Sequence, residues 1–364
     1  MIPVTKPFMP PIEEYERYVK GIWERGYLTN NGPLVQELEK KLQEYLGVKH
    51  FLYLSNGTVA LQIAIKALDL KGEIITTPFS YVATTSSIVW EGCEPVFVDI
   101  DSDTLNINPE LIEAAITDKT SAILATHVFG NPCDIDAIQA IADKHDLKVI
   151  YDAAHCFGTQ YKGKSVFTYG DISTTSFHAT KLFHTIEGGA VFTNGEELNY
   201  RMSRMRNFGH AGFDKFDGIG INGKNSEFHA AMGLTNLEYI ADILKNREKQ
   251  CLFYNEMLKD VPVKTIMIQN SADWNYAYYP VIFESESSAM RIKDALEAQD
   301  VFPRRYFYPS LDTLEYVRTQ KVRISKDVSE KILCLPLFHE ITKTEQTEVV
   351  EVISKVLNPN SIYA

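Results

Sequence analysis

The chain has 364 residues, 45% hydrophobic and 23% charged. At about 150 residues per domain this predicts two domains, with core enough to stand without disulfides or a structural metal. Lys and Arg number 36 against 48 Asp and Glu, a net charge of -12 that excludes a general nucleic-acid or anionic-membrane surface.

The opening segment MIPVTKPFMPPIEEYERY carries no basic stretch followed by an apolar one, so no secretory signal is read there. Apolar runs such as AILA and VIY fall far short of a membrane span. Five cysteines, Cys93, Cys133, Cys156, Cys251 and Cys334, are odd in number and lack C-x-x-C spacing. They predict a cytoplasmic protein with no metal site, the thiols serving as small apolar filler.

Strands are expected at 50–55 (HFLYLS), 73–77 (EIITT), 95–99 (PVFVD) and 121–128 (SAILATHV), then at 148–152 (KVIYD), 172–178 (ISTTSFH) and 189–193 (GAVFT). Most are too apolar for simple alternation, the mark of strands buried on both faces. Helical patterns fall between them at 57–70, 82–91, 109–117 and 134–146. That alternation predicts an α/β fold with a mostly parallel sheet and helices on both sides. After residue 194 the order changes: a helix over 195–207, a glycine-rich stretch over 208–225, and a long helix from Ser226 to about Leu258. A strand near 276–283 and helices near 287–299 and 342–356 complete a smaller α/β unit. The division is placed inside the long helix, giving a large domain over 1–245 and a small one over 246–364.

Three short segments could carry chemistry. Ser55-Asn56-Gly57-Thr58 sits between a strand and a helix, where backbone amides and the helix terminus favour an anion. An ordinary N-cap would look the same. Tyr151-Asp152-Ala153-Ala154-His155 closes a strand at the carboxyl edge of the sheet, where open α/β folds hold ligands. Asp152 there suits a protonated ring nitrogen and His155 a phenolate oxygen; a capping aspartate and a buried histidine are the alternative. Ser176-Phe177-His178-Ala179-Thr180-Lys181 ends another strand at the same edge, followed by Glu187-Gly188-Gly189. A lone lysine is usually on the surface. Beside an anion-binding turn and a carboxylate it is what a pyridoxal phosphate Schiff base requires.

Together SNGTVAL, TTPFSYVAT, PVFVDID, HVFGNPCDID, YDAAHCFG, SFHATKLFHTIEGG and GINGKNSEFHAAMG resemble the DegT/DnrJ/EryC1/StrS family of pyridoxal phosphate-dependent sugar aminotransferases. The resemblance runs over nearly the whole chain. It implies fold type I with a mostly parallel seven-stranded sheet. It also implies that Gly57, Thr58 and Ser176 bind the cofactor phosphate, that Tyr81 stacks on the pyridine ring, and that Asp152 holds the pyridinium nitrogen. His155 falls near the ring hydroxyl, and Lys181 matches the Schiff-base lysine. Asn222 matches an asparagine reaching the phosphate of the neighbouring subunit, which makes the expected assembly a homodimer with composite sites. Gly223 and Lys224 depart from the family pattern, where Tyr and Arg are usual.

The usual donor in the family is L-glutamate. The tracts LTNNGPLVQELEKKL, SFHATKLFHTIEGG and PRRYFYPSL look most like the branch that aminates C4 of a dTDP-4-keto-6-deoxyhexose. Arg304 and Arg305 are then candidate contacts for the nucleotide diphosphate. His178, His127 and His184 could each meet the sugar or be structural, while Tyr306 and Tyr308 are read as packing. The alternatives are a C3 aminotransferase, a C4 enzyme using UDP- or GDP-linked sugars, or a non-catalytic regulator on the same fold. Lys181 argues against the family's dehydratase branch, which has histidine there.

Overall fold

The computed structural model describes residues 1–318, 320 and 322–358. Positions 319, 321 and 359–364 of the expected small domain lie outside the described residues. Seven strands make the main sheet: β1 His50–Leu54, β2 Glu73–Thr76, β3 Glu94–Phe97, β4 Thr120–Thr126, β5 Lys148–Asp152, β6 Ile172–Ser176 and β7 Gly189–Thr193. Their order across the sheet is β1-β7-β6-β5-β4-β2-β3. Only β7 runs against its neighbours, pairing antiparallel with β1 and β6. The seven-stranded, mostly parallel sheet is the one the strand pattern and the resemblance anticipate.

Alternate residues of these strands feed two cores. Leu52, Leu54, Leu124, Ile150 and Val191 pack on one face, under the helices α3 (Gly57–Ala67), α4 (Val82–Trp90) and α6 (Glu196–Met205). Phe51, Tyr53, Ile123, Val149, Tyr151 and Phe192 pack on the other. There they meet α2 (Pro33–Leu46), α5 (Ile135–His145) and α7 (Glu227–Leu237). Burying both faces leaves little room for polar positions, which is why the strands read as continuous apolar runs.

The amino-terminal helix α1 (Ile12–Arg25) and α2 were not singled out from the sequence. Both end on a left-handed glycine, Gly26 and Gly47, and α2 opens on Pro33. Leu34, Leu38 and Leu42 give α2 its buried stripe. The expected helix at 109–117 is shorter: a 3-10 turn at Pro109–Leu111 and one α-turn at Ile112–Ala115. The Thr117 amide bonds instead to the Thr120 hydroxyl, and β4 begins there. The expected long helix over 226–258 is two helices, α7 and α8 (Ile240–Met257). Tyr239 tightens the chain between them, its amide bonding to the Asn236 carbonyl and its hydroxyl to Glu14.

Ile240 and Ile243 of α8 pack in the large core, whereas Cys251 and Tyr254 pack in a separate carboxyl-terminal one. That second core lies on a sheet of β8 (Lys264–Thr265), β9 (Tyr279–Ile282) and β10 (Ile332–Leu335), with β9 in the middle. It is covered by α9 (Glu286–Glu297) and α11 (Lys343–Leu357). The short α10 (Ile324–Lys331) precedes β10. A small aromatic cluster, including Phe79, Phe129, Tyr278 and Phe307, joins the two units beside the carboxyl edge of the main sheet. Among the described residues, no helix is long and apolar enough to cross a membrane.

Candidate active site

The carboxyl ends of β1, β2, β4, β5 and β6 open on one cleft of about 370 Å³, closed on the far side by Tyr278, Arg304, Tyr306 and Phe307. Gly57, Thr58, Tyr81, Asp152, His155, Ser176, His178, Lys181 and Arg304 all line it. Residues as far apart in sequence as Gly57 and Phe307 thus share one cavity, because strands of the main sheet end on one edge and the small unit faces it.

At the anion turn, Asn56 caps α3, its side chain accepting from the Val59 amide at 2.9 Å. Gly57 and Thr58 are the first two helical residues, so their amides have no intrahelical partner. A side chain at 57 would come within 3.0 Å of Ser176 Cβ, and one at Gly189 within 2.4 Å of the Asn56 backbone. Glycine at both positions lets β7 pass directly behind the turn. Ser55 is tied by its amide to the Gly223 carbonyl, 2.8 Å away. A β-carbon at Gly223 would lie 3.3–3.5 Å from Val59, Ile63 and Leu54.

Asp152 ends β5 fully inside the protein. Its carboxylate accepts from the Thr84 hydroxyl at 2.7 Å and from the Ala154 amide at 3.2 Å. Burial pushes its pKa up, and Thr84, Ala154 and the charge of Lys181 oppose that rise. The His155 ring is parallel to those of Phe129 and Phe307, at 6.4 and 5.8 Å, with Tyr278 at 4.7 Å. Burial holds its imidazole neutral, well below the usual range, and its Nδ1 has no partner. Lys181 follows a turn closed by its amide on the His178 carbonyl, and its ammonium stands 6.0 Å from the Tyr278 ring centre. Burial brings the Lys181 pKa down to about 8, against the pull of Asp152 and Tyr81.

The remaining candidates divide. His178 is half exposed, its Nδ1 2.8 Å from the Thr180 hydroxyl and its Nε2 3.6 Å from Glu187. His127 lines the cleft wall but is stacked on Tyr151 at 4.6 Å, and its Nδ1 accepts from the Cys133 amide. His184 lies outside the cleft, held by Phe8 and Asn236. Arg305, expected beside the substrate, is turned away. Its guanidinium bonds to Glu286 and the Glu330 carbonyl and lies 3.5 Å over Tyr308. Asn222 is exposed and does not line the cleft of its own chain. Sequence reasoning missed Thr84, Ser80, Tyr278 and Phe307. Thr84 sits one turn after Tyr81 on α4, the one signal that could have placed it at the same edge.

A helix-terminal anion turn, a buried carboxylate, a neutral imidazole and a lysine of lowered pKa meet at the carboxyl edge of this sheet. That combination is suited to an enzyme of the pyridoxal phosphate type. The chain belongs to the DegT/DnrJ/EryC1/StrS aminotransferase family, which matches residues 11–354. It is 44% identical over 360 residues to a dTDP-4-amino-4,6-dideoxy-D-glucose transaminase of Shigella dysenteriae, covering 97% of this chain and 98% of that one. It is 40% identical over 366 residues to the Escherichia coli transaminase of the same name, covering 98% of each. Among solved structures, DesI in the presence of its TDP-sugar product superimposes with a TM-score of 0.93. That match has 31% identity and covers 99% of this chain and 94% of the other.

Proposed function

We propose that the chain moves an amino group from L-glutamate to C4 of a dTDP-4-keto-6-deoxyhexose, using pyridoxal phosphate. The product would be dTDP-4-amino-4,6-dideoxyglucose for glycan assembly, made in the cytoplasm, a setting supported by five unpaired cysteines. The observation that carries this reading is this cleft on a chain 44% identical, over 97% of its length, to a transaminase named for that product.

The residues present fit the cofactor. Unpartnered amides at Gly57 and Thr58, with the Ser176 hydroxyl, suit its phosphate, and a side chain at 57 would fill that cradle. Tyr81, exposed on the cleft wall, offers its ring to the pyridine. Asp152 is positioned to keep a proton on the pyridine nitrogen, and the orphaned His155 to hydrogen-bond the ring oxygen. Bound there, pyridoxal phosphate supplies an electron-accepting ring adjacent to the donor's α-carbon. Lys181 would carry the cofactor and, once displaced, would take the proton from that carbon and return it two atoms further along, beyond the intervening nitrogen. An amine whose pKa lies near neutrality can do both. His178 faces the hexose and Arg304 the diphosphate. Asn222 serves the partner's cofactor in a homodimer, a reading supported by its exposure and by its absence from the lining of its own chain's cleft.

The test is to incubate the loaded protein with L-glutamate and a panel of dTDP-, UDP- and GDP-linked 3- and 4-keto-6-deoxy sugars. NMR of the aminated product should show a 4-amino sugar from the dTDP-4-keto compound. Amination at C3, or of another nucleotide sugar in preference, would replace this reading with that one.

A further inference from the structure

We propose that Arg304 reads the distal anionic group of both substrates in turn, the γ-carboxylate of glutamate in one half-reaction and the sugar-linked phosphate in the other. The inference rests on the reaction proposed above and adds what selects the donor. Both substrates are anions, both must occupy the same cleft, and the protein as a whole is negative.

Among the described residues lining the cleft, Lys181 and Arg304 are the fixed cations. Lys181 is taken by the reaction itself. Burial keeps His127 and His155 neutral, and His178 stands beside Glu187. The phosphate turn works with neutral amides and a hydroxyl. Within this chain's own cleft one guanidinium is thus left for two anionic substrates that never bind together.

Arg304 is built for such a role. Its backbone is pinned to β10 by a pair of bonds with Cys334, at 3.1 and 2.8 Å. Among the described residues its guanidinium makes no hydrogen bond or ion pair, and it lies 5.4 Å from the Tyr306 ring centre. Its neighbour Arg305 is instead paired with Glu286 at 2.8 Å. From Lys181 the path to Arg304 runs through two rings: Lys181 to Tyr278, Tyr278 to Tyr306 at 5.6 Å, and Tyr306 to Arg304. The α-carboxylate is bonded to the reacting carbon and must stay beside Lys181. A group lying beyond two rings meets the far end of the substrate instead. The γ-carboxylate of glutamate and the phosphate on C1 of a 4-keto sugar both stand a few bonds from the carbon that exchanges nitrogen. A guanidinium binds either group through the same pair of N–H donors.

The test compares loaded wild type, Arg304→Gln, Arg304→Lys and Arg305→Gln. Single-turnover amine transfer is measured without sugar from L-glutamate, L-glutamine and L-norvaline, which differ only at the distal group. Binding of dTDP is measured separately by calorimetry. Arg304→Gln should cut the preference for glutamate about tenfold to a hundredfold and weaken dTDP by a similar factor. Norvaline transfer should hold near the wild-type rate, which also reports that the site is folded. Arg304→Lys should recover part of both effects, and Arg305→Gln should keep the wild-type preference. An unchanged donor preference, an unchanged dTDP affinity, an equal fall with all three donors, or the same loss in Arg305→Gln would each overturn the proposal. Wild type that transfers no amine from glutamate would strike the proposed reaction itself, an outcome separate from these.

Discussion

Replacing Asp152 by asparagine separates the chemistry of the carboxylate from its structural bonds. In the native chain one carboxylate oxygen accepts from the Thr84 hydroxyl and the other from the Ala154 amide. In Asp152→Asn the amide oxygen stays toward Ala154 and the amide N–H turns toward Thr84. The Thr84 hydroxyl then donates to Ser80, 2.7 Å away, and Ser80 donates to Thr126 at 3.1 Å. The row of hydroxyls reverses direction and each of these groups keeps a partner, so the variant folds. Burial raises the carboxyl pKa, which means the folded, cofactor-free protein holds the charged form at a cost at neutral pH. The amide bears no such cost, and the melting temperature of the cofactor-free variant should equal or exceed that of wild type. Turnover should move the other way. An amide cannot keep the proton on a ring nitrogen, and removing one charge-assisted bond that tightens in the transition state costs about 3–4 kcal/mol. That corresponds to a loss on the order of a hundredfold to a thousandfold. Thermal melts without cofactor and single-turnover rates at saturating glutamate read the two effects. A rate within a few-fold of wild type would reduce Asp152 to a cap, and an unfolded variant would refute the reversible row of hydroxyls.

Further outcomes are expected for Lys181, Glu227 and Asn222. Borohydride treatment of the loaded protein should fix the cofactor on a peptide containing Lys181, and label on another lysine would remove that assignment. With a Lys181 pKa of about 8, cofactor uptake should rise about tenfold per pH unit below that value and level off above it. Folding lowers this pKa, so the unfolded chain holds more protons above pH 8 and the cofactor-free protein should gain stability as pH rises toward 10.5. Glu227 is wholly buried and accepts from the Leu34 and Val35 amides at 2.9 and 3.0 Å, capping α2 from another helix. Glu227→Ala should cost about 2–4 kcal/mol by chemical denaturation, more than Glu227→Gln, which retains one acceptor. Finally, co-expressed Lys181→Ala and Asn222→Ala chains should regain roughly a quarter of wild-type sites if Asn222 acts on the partner's cofactor. If it acts on its own chain's cofactor, every mixed site keeps a lesion and activity stays at the level of the single variants.

What the sequence disclosed and what it withheld follow from how far each interaction reaches. Strands buried on both faces announce themselves as apolar runs, and a run that stops on Asp152 or Ser176 also marks the edge where ligands sit. The anion turn is equally local, because Asn56, Gly57 and the first turn of α3 are neighbours in the chain. The stripe of α2 and its terminal glycine are just as local. Other features are set only by packing. Thr84 meets Asp152 across 68 residues and Glu227 meets α2 across more than 190, and no pattern in either segment carries that information. Arg304 and Arg305 state the limit most sharply. They are adjacent, identical in type and equally plausible as partners for an anion, yet the backbone pairing with Cys334 leaves one guanidinium in the cleft while Glu286 and Tyr308 hold the other. The choice between them is made by β10 and α9, elements of the small unit that end nowhere near the motifs from which the chemistry was read. Lysine, carboxylate and anion turn come from the large sheet, where the reaction type is expected to be set. The face supplied by the small unit meets the rest of the substrate, and it is there that selectivity is expected to be written.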